Sequence, residues 1–172
     1  MELWDVYDKN RVKKGKVLER GSPFSVDDYH LVVHICIFNS KGEMLIQQRQ
    51  SFKSDWPNKW DITVGGCAIA GEDNAAAAHR EVLEELGLDV DFTKLRPGFS
   101  INFDNGFDDY YLIEADADID KLSLQYEEVQ AVKWASREEI LAMIDSGEFI
   151  QYYKHLANLF FDMRKRLGSH TD

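Results

Sequence analysis

The chain has 172 residues, enough for one domain with a full core, and nothing in its composition divides it in two. Its 20 Lys+Arg against 31 Asp+Glu, net −11, argue against duplex DNA or RNA as a partner, and an anionic substrate would need a metal ion or local cations. Two cysteines give no disulfide framework, no charged-then-apolar leader opens the chain, and the longest apolar run, "LVVHICIF", is too short to span a bilayer, so a cytoplasmic protein without a membrane segment is expected.

From the N-terminus, "ELWDVYD" alternates, "KNRVKKG" turns and "KVLERG" returns, which predicts a hairpin-bearing extension over residues 1–28. "YHLVVHICIFN" reads as a buried strand with Leu31, Val33, Ile35 and Ile37 on one face. "SKGEMLIQQR" turns at Lys41-Gly42 into a partner strand, and this pair is expected at the centre of the sheet. "WPNKWDITVGG" brings a loop and a short strand to two glycines, and a helix follows, capped by Asp73 or Asn74 and stopped at Gly87. "LRPGFSINF", "DDYYLIEAD" and "EEVQAVKWA" read as further strands. Ser136-x-x-Glu139 is a capping box opening another helix, and a final helix is predicted from about Tyr152 to Leu167. This order predicts the α/β class, with helices packed on a mixed sheet.

The helix after the glycines contains "HREVLEELG", in which Glu81, Glu84 and Glu85 fall within roughly 100° of arc at about 100° per residue. Ala75, Val82, Leu83 and Leu86 are expected on the far side, so that an acidic face opposes an apolar one. Like charges three and four residues apart repel, and Arg80, four before Glu84, offsets only part of that. A solvated acidic stripe and a cation-binding face are the two readings, and the residues upstream decide between them.

From Gly66 the chain runs "GCAIAGEDNAAAAHREVLEELGL": Gly66, five residues, Glu72, seven residues, Arg80-Glu81-Val82, one residue, Glu84-Glu85, one residue, Gly87-Leu88. This resembles the Nudix box at every defined position. The resemblance implies a single Nudix domain over 1–172 with its core at 29–168, folded as a three-layer α/β/α sandwich around a mixed central sheet. It implies hydrolysis of a diphosphate linkage in a nucleoside-diphosphate-X type substrate by attack of water on phosphorus, with Mg²⁺, or Mn²⁺ in its place. By the same resemblance Glu81, Glu84 and Glu85 are metal ligands, one of them serving as base, and the Gly65 or Gly66 carbonyl completes the shell. Arg80 would orient a glutamate, and Glu72 would brace the loop or reach metal through water. Hard oxygen ligands on a helix suit Mg²⁺. The expected partner is a small-molecule diphosphate, and a homodimer is the assembly to test.

The stretch "YHLVVHICIFNSKGEMLIQQRQSFKSDWPNKWDITVGG" is also similar to isopentenyl-diphosphate isomerases, sharing the His30 strand, Arg49, Lys53, Trp56-Pro57 and Trp60. The isomerases carry a cysteine that transfers protons at carbon and a metal-binding histidine two residues on. Those places hold Gly65 and Cys67 here, and "GFDDYY" is less similar than the isomerases' later acid pair. The hydrolase helix, by contrast, is complete. Hydrolysis is therefore expected on a shared scaffold, with an isomerase and a non-catalytic nucleotide-sensing module as alternatives; the intact glutamates oppose the latter. Arg49 and Lys53 occupy positions that would face the diphosphate. Cys67 reads as a small apolar filler, His30 and His34 as core-edge histidines, Trp60, Phe103, Phe107, Tyr110 and Tyr111 as packing aromatics, and Glu127 and Glu128 as a rim pair.

Overall fold

The computed structural model describes residues 2–170; Met1, Thr171 and Asp172, the outermost positions of the predicted 1–172 domain, lie outside the described residues. The N-terminal extension is an antiparallel hairpin of β1 (Leu3–Tyr7) and β2 (Lys13–Glu19). Trp4 and Val6 of β1 alternate inward, while β2 is exposed almost throughout. The return is tighter than "KNRVKKG" suggests, because the Asp8 carboxylate accepts from the N–H groups of Asn10 (2.8 Å) and Val12 (2.9 Å), and Arg11 takes φ 64°.

That turn aims Arg11 at a buried acid. Its guanidinium forks onto Asp109, Nη1 to Oδ1 at 2.9 Å and Nη2 to Oδ2 at 2.5 Å, and Ser100 and Asn74 donate to the same carboxylate. Burial alone would raise the Asp109 pKa, but these donors outweigh it and leave it below the ordinary value. A second anchor joins Lys14 and Lys16 to the buried Asp28. Arg11→Ala is expected to cost about 2 kcal/mol, less than a fully buried pair because Arg11 is partly solvated, and to lower Tm by roughly 5 °C. A depressed acid contributes stability above its unfolded pKa and loses it as pH falls through the folded one. The difference between wild type and variant should therefore be full at pH 7 and shrink below pH 3.8, as thermal melts across that range would show.

The central strand is β3 (His30–Phe38), with β4 (Met44–Arg49) after the Lys41-Gly42 turn. Then come β5 (Trp60–Asp61), β6 (Val64–Cys67), α1 (Asn74–Leu86), β7 (Phe99–Phe103), β8 (Gly106–Glu114), β9 (Val129–Ala135), α2 (Arg137–Ser146) and α3 (Lys154–Met163). β3 runs parallel to β8 over its full length and antiparallel to β6, and β7 borders β8. β3 and β4 are neighbours in the middle of the strand order, as expected, but their pairing is brief. They meet only at Phe38↔Met44, after which β6 takes the edge of β3 and β4 turns away to pair with β9 and β5. The sheet is mixed and splays open there.

Both faces of β3 are buried along most of its length, which accounts for an apolar run interrupted only by His34. Leu31, Val33, Ile35 and Ile37 pack with Ala77, Ala78, Val82 and Leu86 of α1; Cys36 and Phe38 pack with Ile140, Met143 and Ile144 of α2 and Phe160 and Phe161 of α3. The result is the expected α/β/α layering. Ser136 caps α2 by accepting from Glu139 N–H at 3.2 Å. The final helix is shorter than predicted, because Tyr152 is held outside it with its hydroxyl donating to Asp61, and the helix ends at Met163. Among the described residues no helix is long and apolar enough to cross a membrane.

Candidate active site

Helix α1 is held at both ends as the sequence indicates: the Asp73 carboxylate accepts from Ala76 N–H at 2.9 Å, and Gly87, at φ 66°, returns its N–H to Leu83. Between the caps the acidic face does not oppose the core but overlaps it. Glu85 is 5% exposed, in line with Ala78 and Val82, whereas Leu83, expected inside, is 43% exposed. The reason is register: the sheet-facing arc of α1 is centred between Ala77 and Val82, and it takes in Glu81 and Glu85 while leaving Leu83 outside. Glu81 lies over β6 at Gly66, where a Cβ would overlap its carboxylate. The bare glycine backbone therefore makes the space the acid occupies.

Burial dominates the electrostatics. Desolvation pushes Glu81 up to about 7 against the pull of Arg80. Glu85 is raised well above the carboxylate range by burial and then by Glu81, with only the Gln47 amide, 2.9 Å from Oε2, bonding it in opposition. Arg80 is shared out: Nε to Glu72 (2.7 Å), Nη1 to Glu81 (2.9 Å) and Glu84 (3.2 Å), Nη2 to Glu72 (3.0 Å) and the Cys67 carbonyl (3.0 Å). One guanidinium faces three carboxylates, so the cluster carries excess negative charge in a desolvated place. Among the described residues no three His, Cys, Asp or Glu side chains converge as a ready-made metal cage, and Glu84, half exposed, turns toward Arg80. The fit to a divalent cation lies instead in charge and donor type: hard carboxylate oxygens, buried and under-neutralised.

Glu81, Glu84 and Glu85 line a cleft of about 550 Å³ together with Gly65, Gly66, Cys67 and Arg49. Arg49 uses Nε on the Asp55 carbonyl (3.1 Å), and its terminal nitrogens have no partner among the described residues. Lys53 is joined to the cleft indirectly, through an ion pair of 2.6 Å with Glu128. Glu72 braces the loop, accepting from Ile69 N–H at 3.0 Å as well as from Arg80. The Cys67 thiol is pushed up to about 12 by burial, which keeps it protonated and unreactive.

Several cleft residues escape a reading of the sequence. Glu2 and Arg20 come from the open end of the hairpin, paired at 2.9 Å, so the extension forms one wall of the cleft. Opposite charges flanking the two predicted strands were the available signal. Glu128 and Asp61 of β5 line the cleft, and Gln47 of β4 lies buried behind it, bonded to Glu85. His30 is a packed residue, stacked between Trp4 (4.7 Å) and Phe24 (4.9 Å). His34 is more than a core-edge residue: it stacks on Tyr110 at 4.7 Å, bonds Asp108 at 3.0 Å and lines the cleft. Phe107 and Tyr111 are core, as expected.

The NUDIX domain family model matches residues 28–155. An uncharacterised Nudix hydrolase of Listeria monocytogenes is 44% identical over 170 residues, 99% of this chain and 99% of its own length. The isopentenyl-diphosphate Delta-isomerase of Escherichia coli is 30% identical over 122 residues, 68% of this chain and 67% of that protein. Among solved structures, a Deinococcus radiodurans protein matches with a TM-score of 0.73 at 28% identity, covering 92% of this chain and 97% of its own. The MutT protein of Methanosarcina mazei matches with a TM-score of 0.60 at 25% identity, covering 77% and 92%.

Proposed function

This chain belongs to the NUDIX domain family, and we propose that it hydrolyses the diphosphate linkage of a nucleoside-diphosphate-X type substrate with a divalent cation, Mg²⁺ or Mn²⁺, held by the α1 glutamates. The observation that carries this is the pairing, across one cleft, of two under-neutralised carboxylates, the partly buried Glu81 and the buried Glu85, with the free guanidinium edge of Arg49. When bound, a divalent cation polarises phosphoryl oxygens and lowers the pKa of water. Glu81 and Glu85 would hold it, with Glu84 and the Gly65 or Gly66 carbonyl within the same cleft. Arg80 keeps Glu81 in place from behind while Arg49 forks the diphosphate oxygens.

An isomerase reading finds less support. Gly65 stands where a proton-transferring thiol would be needed, and Cys67 is held protonated. The test is a panel of nucleoside diphosphate sugars, dinucleoside polyphosphates, ADP-ribose, NADH, CoA, oxidised nucleotides and isopentenyl diphosphate with Mg²⁺ or Mn²⁺. Hydrolysis is expected, with ¹⁸O from water in a released phosphate group and no allylic product. Rearrangement of isopentenyl diphosphate without hydrolysis of any other compound would sink the proposal.

On whichever substrate responds, Arg49→Ala is expected to raise KM about tenfold and lower kcat less, as for a contact made in ground and transition states alike. Lys53→Ala should act more weakly, since Glu128 already takes its charge. If Arg49 merely ties down the Asp55 turn, the variant will melt earlier with unchanged KM.

A further inference from the structure

A second cavity, about 390 Å³, adjoins the diphosphate cleft and shares His34, Trp56 and Asp61 with it. Ile150 and Leu156 supply apolar wall, and the rings of Trp56 and Tyr153 stand exposed at the mouth. Tyr110 offers an edge and not a face, because its ring is packed between His34 (4.7 Å) on one side and Phe99 (5.0 Å) and Phe160 (5.4 Å) on the other. A size of a few hundred Å³, apolar walls and a few placed polar groups are the usual features of a small-molecule subsite.

The polar groups of this cavity are mixed in kind. Asp61, 9% exposed, accepts from the Tyr152 hydroxyl (2.9 Å) and the Ile62 N–H (2.8 Å) on Oδ1, and Asp108 meets His34 Nε2 (3.0 Å) on Oδ1; neither Oδ2 has a partner among the described residues. Gln151 spends its amide N–H groups on the Ile144 (2.9 Å) and Phe149 (3.2 Å) carbonyls, which leaves its side-chain oxygen as acceptor. Beside these acceptors stand donors, the hydroxyls of Tyr110 and Tyr153 and the Trp56 indole N–H, which also have no partner among the described residues. No lysine or arginine lines the cavity, so a further phosphate would meet two aspartates and no cation. A purely apolar group would take water from the same oxygens and return no hydrogen bond.

Building on the diphosphate-hydrolase reading, we propose that this cavity seats a sugar ring joined to the diphosphate and recognises it through its hydroxyl groups. Each hydroxyl donates one hydrogen bond and accepts others, so a polyhydroxylated ring satisfies neighbouring donors and acceptors together. Burial raises the Asp61 pKa, and a hydroxyl pairs with that side chain in both states, as donor to the carboxylate and as acceptor from the acid. The C–H face of the ring covers the free indole face of Trp56 and the Ile150 and Leu156 side chains. Two sugars present this chemistry, the glycosyl group of a nucleoside diphosphate sugar and the ribose of the nucleoside itself.

The experiment is calorimetry on the full chain with Mg²⁺, using glucose 1-phosphate, ribose 5-phosphate, UMP, inorganic phosphate and isopentyl phosphate, an ester that carries no hydroxyl on its carbon chain. At least one of the two sugar phosphates is expected to bind roughly tenfold or more tightly than isopentyl phosphate, as one or two hydrogen bonds allow. Preference for glucose 1-phosphate assigns the cavity to the glycosyl group, and preference for ribose 5-phosphate assigns it to the nucleoside's ribose. Asp108→Ala and Tyr110→Phe, the second of which keeps the packed ring, should each bring the sugar phosphate toward isopentyl phosphate while leaving inorganic phosphate binding as it was. Isopentyl phosphate binding as tightly as both sugar phosphates overturns the subsite, as does a gain in affinity that appears only with the base of UMP. Either result can stand beside cleavage of diphosphates, and then the hydrolase reading survives alone. If no diphosphate is cleaved but the sugar phosphates are preferred and the variants abolish the preference, the hydrolase reading fails and the subsite stands.

Discussion

Glu85→Gln is expected to lower kcat by about two orders of magnitude or more while raising Tm by a few degrees. The carboxylate is 5% exposed, lies beside Glu81 and receives one amide bond, from Gln47. Its ionised form is therefore costly in the metal-free chain, and a neutral amide of the same shape removes both the desolvation and the repulsion. Gln47 can donate to the new amide oxygen as it does to Glu85, so packing is kept. Charge for holding a divalent cation is lost, and polarisation of the phosphoryl group and of water goes with it. Stability and activity thus move in opposite directions, as at sites whose strain serves function. Steady-state kinetics at saturating Mg²⁺ and a thermal melt test both halves. Near-wild-type turnover would remove Glu85 from the metal site, and a lowered Tm would show its carboxylate to be structural.

What the sequence disclosed about this region, and what it hid, follows from the range of each interaction. The caps Asp73 and Gly87, the Ser136 cap and the inward set Leu31, Val33, Ile35 and Ile37 are local or periodic signals, and all are found in place. The residues that carry the resemblance also lie together: Arg80 joins Glu72, Glu81 and Glu84, and Glu81 in turn lies over Gly66 and beside Glu85. Three glutamates on a helix invite the reading that they face water, and only the placement of α1 over β6 reveals that Glu85 is interior. Pairing between distant segments was equally hidden. The departure of β4 from β3 depends on β6 taking the edge, and the Glu2–Arg20 wall depends on where the hairpin docks, which Arg11 and Asp109 settle from 98 residues apart. Glu128 looked like one acid of a solvated pair until Lys53 and the cleft were seen around it.

The metal-free chain is expected to lose stability between about pH 4.5 and pH 7, and Mg²⁺ to restore it most at the upper end. Glu81 ionises at its model value of 4.5 when unfolded but holds its proton to about 7 when folded. Across that window the native state binds more protons than the unfolded state, so unfolding free energy falls as pH rises and levels off above the folded value. A displacement from 4.5 to about 7 corresponds to on the order of 3 kcal/mol, a Tm decline of roughly 6–12 °C for a chain of this size. Glu85, raised in the same direction, adds to the trend. Burial lowers the pKa of His30, which works the other way near its ordinary value, while the depressed acids Asp28 and Asp109 act at lower pH, outside the window. Glu81→Gln tests the assignment, since the Glu81 part of the slope should vanish in that variant and the Glu85 part, which Glu81 enlarges, should shrink with it. A cation that binds the ionised carboxylates stabilises the fold increasingly as they ionise, so the Tm gain from Mg²⁺ should be small at pH 5, large at pH 7.5, and much reduced in Glu81→Gln. Melts of both proteins with and without Mg²⁺ decide the matter: a pH slope unchanged by the substitution would place the buried charge elsewhere, and an equal Mg²⁺ gain in both would remove Glu81 from the cation site.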